Sequence, residues 1–216
     1  MISDTRMKDN YRRICAVLAW GTLAAQYIIL VTFGKYGGVA ATTFTFFGFF
    51  TIWSNILVAL AFTLPFLKAD GKLHLFFQNQ AVRAATALYI LVVAVVYYSL
   101  LYKIHNPQGL SAITNASLHL IMPVLYILDW LFFAKKDKLS YKSLPYWVIF
   151  PLAYGVFNII RGLATGVYPY PFLVIGSRGA VSVMIAMVMF TFTYLIGGAF
   201  FIWFGQKISQ KNKDKN

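Results

Sequence analysis

The fold class follows from long uncharged apolar stretches, of which residues 46–67 are representative and read FFGFFTIWSNILVALAFTLPFL. A helix that crosses a bilayer needs about 20 mainly apolar residues. We therefore expect residues 46–67 to form a membrane-spanning helix. The same stretch contains Thr51, Ser54 and Asn55, whose polar side chains an apolar lipid environment disfavours. Their presence there needs an explanation.

Other stretches of the chain have the same character, and the composition agrees with them. Hydrophobic residues make up 60% of the 216 residues and charged residues only 12%, which is far too apolar for a soluble domain. We predict an all-α polytopic membrane protein, a bundle of six transmembrane helices at residues 14–33, 46–67, 81–102, 111–133, 144–165 and 179–204. We expect residues 1–13 to form an N-terminal arm, residues 14–204 the transmembrane domain, and residues 205–216 a basic tail.

The basic residues are distributed unevenly over the two sides of this predicted bundle. Fifteen of the 19 Lys and Arg residues fall on one side: Arg6, Lys8, Arg12, Arg13, Lys68, Lys72, Arg83, Lys135, Lys136, Lys138, Lys142, Lys207, Lys211, Lys213 and Lys215. Cytoplasmic loops carry an excess of Lys and Arg, so both termini are predicted to be cytoplasmic, in a multi-pass protein of the cell membrane. The net charge of +13 is spread over short loops, which favours anionic lipid over nucleic acid as its partner.

The acidic residues exclude several kinds of catalytic site. The chain has no glutamate, and its six aspartates all fall on the predicted cytoplasmic side. The outer half therefore lacks paired acids for glycoside hydrolysis, an acidic cage for a metal ion, and a Ser-His-Asp triad. The three histidines are scattered, so no metal or other cofactor is predicted. Asp129, one turn from Lys135 and Lys136, is expected to be paired at the inner membrane interface.

Three predicted helices carry polar residues at helical spacing in the outer half of the bilayer. The second helix carries Thr51, Ser54 and Asn55, the fourth Asn115 and His119, and the fifth Tyr154, Asn158 and Arg161. Residues three or four apart share one face of a helix. An ionisable side chain at this depth is costly, so His119 and Arg161 are candidate functional residues. The alternative is structural, because hydroxyl and amide side chains commonly bond helix carbonyls or join helices in membranes.

A proline-rich aromatic segment, YPYPF at residues 168–172, follows the fifth predicted helix. Each proline fixes φ and disfavours a helix, so we expect a stiff loop. Tyr168 and Tyr170 fit an aromatic belt at the membrane interface, and they also fit the lip of a pocket. The sequence leaves both interpretations open.

Taken in order, these motifs resemble a known family. They are FFTIWSN at residues 49–55, NASLH at residues 115–119 followed by Met122-Pro123, Asn158 with Arg161-Gly162, and YPYPF at residues 168–172. They look like the bacterial predicted six-transmembrane proteins, which are similar to the animal androgen-induced and androgen-dependent integral membrane hydrolases. The animal enzymes are threonine hydrolases that cleave fatty acid esters of hydroxy fatty acids. The Ser54-Asn55 pair is typical of the bacterial branch.

The resemblance implies a hydrolase of lipid esters, with Thr51 as the nucleophile and His119 as its base. A threonine hydroxyl needs an adjacent base, which His119 supplies if the second and fourth helices touch. With no acid nearby, Asn115 or a backbone carbonyl is expected to orient the histidine. The residues expected to bind the substrate or stabilise its charge are Ser54, Asn55, Asn115, Asn158, Arg161, Tyr168 and Tyr170. The predicted partners are membrane lipids and a hydrophobic anionic ester, whose free carboxylate the planar Arg161 guanidinium suits.

Two other classes of protein fit the same sequence. A transporter would have broken helices and polar residues through both leaflets, and Pro65, Pro123 and Pro151 are candidate breaks. A noncatalytic lipid-binding or assembly protein would have the same helices, but it would tolerate replacement of Thr51 and His119.

Overall fold

Every regular element that the structure describes is helical, which confirms the all-α prediction. The computed structural model describes residues 2–34, 36–67 and 71–213, and it describes side chains between residues 5 and 211 of those ranges. The helices are α1 (Ile2–Phe33), α2 (Val39–Phe46), α3 (Phe50–Thr63), α4 (Lys72–Gln78), α5 (Gln80–His105), α6 (Leu110–Phe133), α7 (Leu144–Thr165), α8 (Ile175–Arg178) and α9 (Ala180–Lys213). Lys68 and Lys215, used above to predict orientation, lie outside the described residues.

Five helices in the described part of the chain are long and apolar enough to cross a membrane. They are Thr5–Phe33, Gln80–His105, Leu110–Phe133, Tyr141–Thr165 and Ala180–Lys211. Val39–Phe46 and Phe50–Phe66 are together also long and apolar enough, as one broken span. The chain therefore has the helices of a multi-pass membrane protein, with five spans or six.

The helices at the two ends of the chain are longer than predicted. α1 begins at Ile2, so the expected N-terminal arm is helical over residues 2–13. α9 continues to Lys213, so most of the expected basic tail is helical as well. The predicted bounds followed the apolar pattern, whereas the backbone hydrogen bonds of these helices continue into polar sequence.

The second span differs from the prediction because it is not one straight helix. α2 and the helix that begins at Phe50 meet at an angle of 74°. Phe49 has an extended backbone (φ −85°, ψ 129°), which interrupts the helical path and makes it the N-cap of α3. Gly48 lies at the bend, where an added Cβ would overlap the Arg161 guanidinium. We call residues 47–49 the break.

Side chains satisfy the carbonyl oxygens that the break leaves without a helical partner. Arg161 Nη2 donates to Phe44 O at 3.0 Å, Trp53 Nε1 to Phe47 O at 2.8 Å, and the Tyr154 hydroxyl to Gly48 O at 2.5 Å. Two of these three donors lie on α7. The break is therefore held from the side by α7.

The centre of the bundle is formed by α3 and α5. α3 packs against α1 and α5, α5 packs against α6 and α9, and α7 packs against α9. The rings of Phe50, Tyr89, Phe150 and Tyr194 form an aromatic cluster between α3, α5, α7 and α9. Neighbouring rings in this cluster have centroids 5.3 to 6.4 Å apart. The cluster fills the interior next to the site described below.

A buried ion cluster joins α1, α5 and α6. The Asp129 carboxylate accepts from Arg12 at 2.6 Å and from Arg83 at 2.5 Å. The neighbouring lysines are not its partners, because α6 ends before Ala134, whose extended backbone directs the chain away from the helix. Lys136 instead donates to two backbone carbonyls. Asp129 is therefore paired as expected, but with arginines from two other helices.

Candidate functional site

The break places Thr51 at the beginning of α3. It is the second residue of α3, so its backbone N–H and that of Phe50 have no partner within the helix. Thr51 is only 8% exposed. The aligned peptide dipoles of α3 add partial positive charge at this end of the helix. The threonine hydroxyl is thus buried beside two backbone donors that have no partner within α3.

His119 is placed by a π-turn, in which a helix accommodates one extra residue, at Ser117–Ile121 of α6. α5 has a π-turn of its own at Tyr97–Leu101. The two turns meet through the rings of Tyr97 and His119, which stack with centroids 3.8 Å apart and planes 24° apart. π-turns are frequent at functional sites. The stacking fixes the orientation of the His119 ring.

Thr51 and His119 are within hydrogen-bonding distance of each other. Thr51 Oγ1 lies 3.2 Å from His119 Nε2, and His119 Nδ1 lies 2.9 Å from the carbonyl oxygen of Asn115. A carbonyl oxygen can only accept, so Nδ1 carries the hydrogen of the neutral ring and Nε2 is free to accept. The threonine hydroxyl therefore donates to Nε2. In this arrangement the histidine can take the hydrogen from the hydroxyl.

Two asparagines connect the elements that carry this pair. Asn115 Nδ2 donates to the Tyr97 hydroxyl at 2.5 Å, which ties the two π-turns together. Asn55 Nδ2 donates to the carbonyls of Thr51 at 2.8 Å and Leu118 at 3.2 Å. A π-turn disturbs the regular pairing of helix carbonyls, and Leu118 lies in one. Asn55 therefore links α3 to the turn that holds the histidine.

Tyr170 covers the beginning of α3. Its hydroxyl lies 3.5 Å from Thr51 Oγ1 and is close to the backbone N–H groups of Phe50 and Thr51. Its ring stacks on Phe172, with centroids 5.1 Å apart. The prolines on either side of Tyr170 restrict the backbone that carries it. A hydroxyl and two N–H groups are therefore gathered beside the Thr51 hydroxyl.

Two cavities meet at Thr51 and His119. The apolar cavity lies between α5, α7 and α9 and has a volume of about 680 Å³, and the mixed cavity extends toward α1 and has about 900 Å³, each including the space at its mouth. Tyr97 and Tyr170 also line both cavities. A molecule that occupied both would pass directly by the threonine hydroxyl.

The two cavities differ in polarity. Away from the shared residues, the apolar cavity is lined mainly by aliphatic and aromatic side chains such as Val148 and Met187. The mixed cavity adds the polar side chains of Gln26, His105 and Asn115. His105 is the last residue of α5 and is exposed. Water and polar groups therefore have a route to Thr51 through the mixed cavity.

The predicted site residues divide into those that reach the cavities and those that do not. Thr51, His119, Asn115 and Tyr170 line one cavity or both. The residues that line neither cavity are Ser54, Asn55, Asn158, Arg161 and Tyr168. Ser54 and Asn55 are fully buried within the bundle. Of the three polar residues of α3, Thr51 alone lines these two cavities, so the expected roles of Ser54 and Asn55 in substrate binding stay predictions.

Arg161 also has a different position from the one that the sequence predicted. It is 5% exposed, and its guanidinium donates to Asn158 Oδ1 at 3.2 Å and to Phe44 O at 3.0 Å. The guanidinium also lies 4.0 Å from the centroid of the Phe44 ring, a cation–π contact. The Asn158 amide oxygen, the Phe44 carbonyl and the Phe44 ring thus contact the guanidinium where a substrate carboxylate was expected. Arg161 supports the break and is not placed to bind a carboxylate in either cavity.

Asn158 and Tyr168 occupy structural positions as well. Asn158 Nδ2 donates to the carbonyl of Tyr154 one turn earlier in α7. Tyr168 packs against Gly162, where an added Cβ would overlap the tyrosine ring. Of the aromatic loop at residues 168–172, Pro169, Tyr170, Pro171 and Phe172 line a cavity. The loop is therefore the lip of a pocket, but Tyr168 is not the residue that forms it.

Tyr97 is a residue of the site that the sequence analysis did not identify. It stacks on His119 and accepts from Asn115. A tyrosine near the end of an apolar helix is ordinarily assigned to the aromatic belt at the membrane interface. A π-turn has no recognised sequence pattern, so the stack could not be found in this way.

The fold and the site together define a class: a helical multi-pass membrane protein with a buried threonine–histidine pair at the junction of two cavities. No protein-family model, curated protein or solved structure matches the chain. Within residues 2–34, 36–67 and 71–213, no three His, Cys, Asp or Glu side chains come together where they could hold a metal ion.

Proposed function

We propose that the protein is a membrane-embedded hydrolase of lipid esters, in which Thr51 is the nucleophile and His119 is the general base. One observation carries the proposal: Thr51 Oγ1 lies 3.2 Å from His119 Nε2 at the junction of two cavities. The Asn115 carbonyl, which accepts from Nδ1, selects the tautomer that this role requires.

The proposed reaction has two steps. In the first, Thr51 Oγ attacks the ester carbonyl carbon while its hydrogen passes to His119 Nε2, and the tetrahedral intermediate expels the alcohol oxygen, which takes that hydrogen from the histidine. In the second, water attacks the acyl-threonine, His119 again accepts and returns a hydrogen, and a fatty acid leaves. The threonine hydroxyl is restored.

The negative oxygen of the intermediate requires donors that are already in place. The backbone N–H groups of Phe50 and Thr51 have no partner within α3, and the Tyr170 hydroxyl lies beside them. In this proposal these groups take the role that the sequence analysis gave to side chains such as Asn55, Asn115 or Arg161. A carbonyl stabilises a charged histidine less than a carboxylate does, so we expect slow turnover.

Labelling with a lipid-like fluorophosphonate tests the proposal. Thr51→Ala and His119→Ala are each expected to abolish labelling of the detergent-purified protein, and mass spectrometry should find the adduct on Thr51. Thr193→Ala is the control, because Thr193 is an exposed hydroxyl that bonds only its own helix carbonyl of Met189. Undiminished labelling of both site variants would exclude this nucleophile.

We also propose that the broken pair is a sixth span and that both termini are cytoplasmic, in a cell membrane. The uneven distribution of Lys and Arg supports this orientation. Membership of the bacterial six-transmembrane family stays part of the same proposal, supported by the motifs around Thr51 and His119. Reporter domains fused to the C-terminus test the orientation, and activity only outside the cytoplasm would contradict it.

A noncatalytic lipid-binding protein is the second candidate, because the apolar cavity would suit a lipid chain without any reaction. It predicts that Thr51→Ala leaves both lipid binding and biological function intact. The hydrolase predicts binding without turnover in the same variant. Transport has one supporting feature, the broken span, since discontinuous helices are common in transporters.

A further inference from the structure

The lining of the apolar cavity extends away from Thr51 along α5, α7 and α9. On α7 its lining begins near Tyr154, whose hydroxyl reaches the break, and extends back to Val148. These two residues are six positions apart, which is about 9 Å along a helix. On α5 the lining extends from Tyr97 back to Val92, about 7.5 Å. The remote end is therefore formed by Val92, Val148 and Tyr194.

Buried side chains close this end. Val92 is 7% and Tyr194 4% exposed, and Tyr194 also belongs to the aromatic cluster. Val148 is only 6% exposed, so its side chain lies inside the bundle rather than on the lipid-facing surface. Ile149, the next residue of α7, is 58% exposed. Val148 thus borders the cavity, whereas Ile149 does not line it.

The polarity of each cavity's lining indicates which part of an ester that cavity would hold. After the first step of the proposed reaction, the alcohol has to leave and water has to reach the acyl-threonine. Only the mixed cavity has Gln26 and His105 in its lining, which can lead water toward Thr51. The acyl chain remains attached during this exchange, so it has to lie in the other cavity.

We propose that the apolar cavity holds the acyl chain of the substrate and that Val148, at its closed end, limits the length of that chain. This inference rests on the proposed hydrolase function. It assigns a selective role to a residue with no polar group and no contact with Thr51. The cavity depth of roughly 10 Å along the helices corresponds to a medium-length chain.

Two substitutions at position 148 should act in opposite directions. Val148→Phe places a ring at the closed end, so the preferred nitrophenyl ester should become shorter, with kcat/KM for long esters reduced about tenfold or more. Val148→Ala deepens the cavity and should favour longer esters. Ile149→Phe adds the same ring on the exposed face of α7 and should leave the preference unchanged. The measurement is kcat/KM for esters from butanoate to palmitate.

Different outcomes test the role of Val148 and the proposed hydrolase function. An unchanged preference in both Val148 variants, or the same shift in Ile149→Phe, overturns the role of Val148. If Thr51→Ala hydrolyses the esters normally, the proposed function fails instead. Binding is then measured by competition of linear methyl esters with a photoreactive alkyl probe in the Thr51→Ala background. A length preference that moves with Val148→Ala supports the chain site, and a preference that does not move removes it.

Discussion

A Gly48→Ala substitution tests how the break between α2 and α3 is held. The added Cβ would overlap the Arg161 guanidinium and would lie 2.9 Å from Thr45 O. The guanidinium would have to move and would lose its bonds to Phe44 O and Asn158 Oδ1. Hydrogen bonds to charged groups contribute about 1.5–3 kcal/mol each, so the free energy of unfolding should fall by about 3 kcal/mol.

A double-mutant cycle shows whether this loss passes through the arginine. Arg161→Ala removes the same two bonds and should by itself cost about 3 kcal/mol. In the double variant no guanidinium remains to be displaced. Independent effects would sum to about 6 kcal/mol, whereas a shared cause predicts about 3–4 kcal/mol, which is a coupling of about 2–3 kcal/mol.

The assay is equilibrium unfolding of the detergent-purified protein, followed by circular dichroism. Gly21→Ala is the matched control, because an added Cβ there meets nothing within 4 Å. Alanine is favoured over glycine inside a helix by about 0.5–1 kcal/mol, so this control should be neutral or slightly stabilising. An additive double variant, or a Gly48→Ala protein as stable as the control, would refute the reasoning.

Three further substitutions address other parts of the structure. Asp129→Asn leaves two buried guanidiniums without a carboxylate and should cost about 3–5 kcal/mol in the same assay; a cost under about 1 kcal/mol would show that the ion cluster is unimportant. Tyr97→Phe keeps the ring that stacks on His119, whereas Tyr97→Leu removes it. Fluorophosphonate labelling should therefore slow more in the leucine variant, and the reverse order would contradict the stacking role. Ser54→Ala removes a buried hydroxyl that has no partner among the described residues. The free energy of unfolding should therefore stay constant or rise by about 1 kcal/mol, and labelling should be unchanged. A clear loss of stability or of labelling would show that the hydroxyl makes a contact.

The helical membrane fold could be predicted because it depends on sums over long segments. The stretch at residues 46–67 is apolar enough that a few polar side chains do not change its assignment. The contact between Thr51 and His119 was expected on a different basis. Spacing placed each of them on a polar stripe, and the family resemblance then paired the two stripes.

The break could not be predicted because it depends on particular tertiary contacts. Gly48 gives no sign in the sequence that the chain bends there, since glycine is common in membrane helices. At the bend, Tyr154 and Arg161 on α7 donate to the carbonyl oxygens that have no partner within a helix. Arg161 was assigned to a substrate for the same reason: its acceptors are a backbone carbonyl and the Asn158 side chain, which composition does not reveal.

The π-turn at Ser117–Ile121 makes the site depend on the length of the chain as well as on its residues. A regular helix turns about 100° per residue, so one extra residue rotates everything on one side of the turn by that angle relative to the other side. Deletion of Leu120, which is exposed, would keep Thr51, Asn115 and His119 and yet turn the histidine relative to the rest of α6. Single-residue insertions and deletions are therefore a separate route by which this site is gained or lost, and scans that only substitute residues would not detect it.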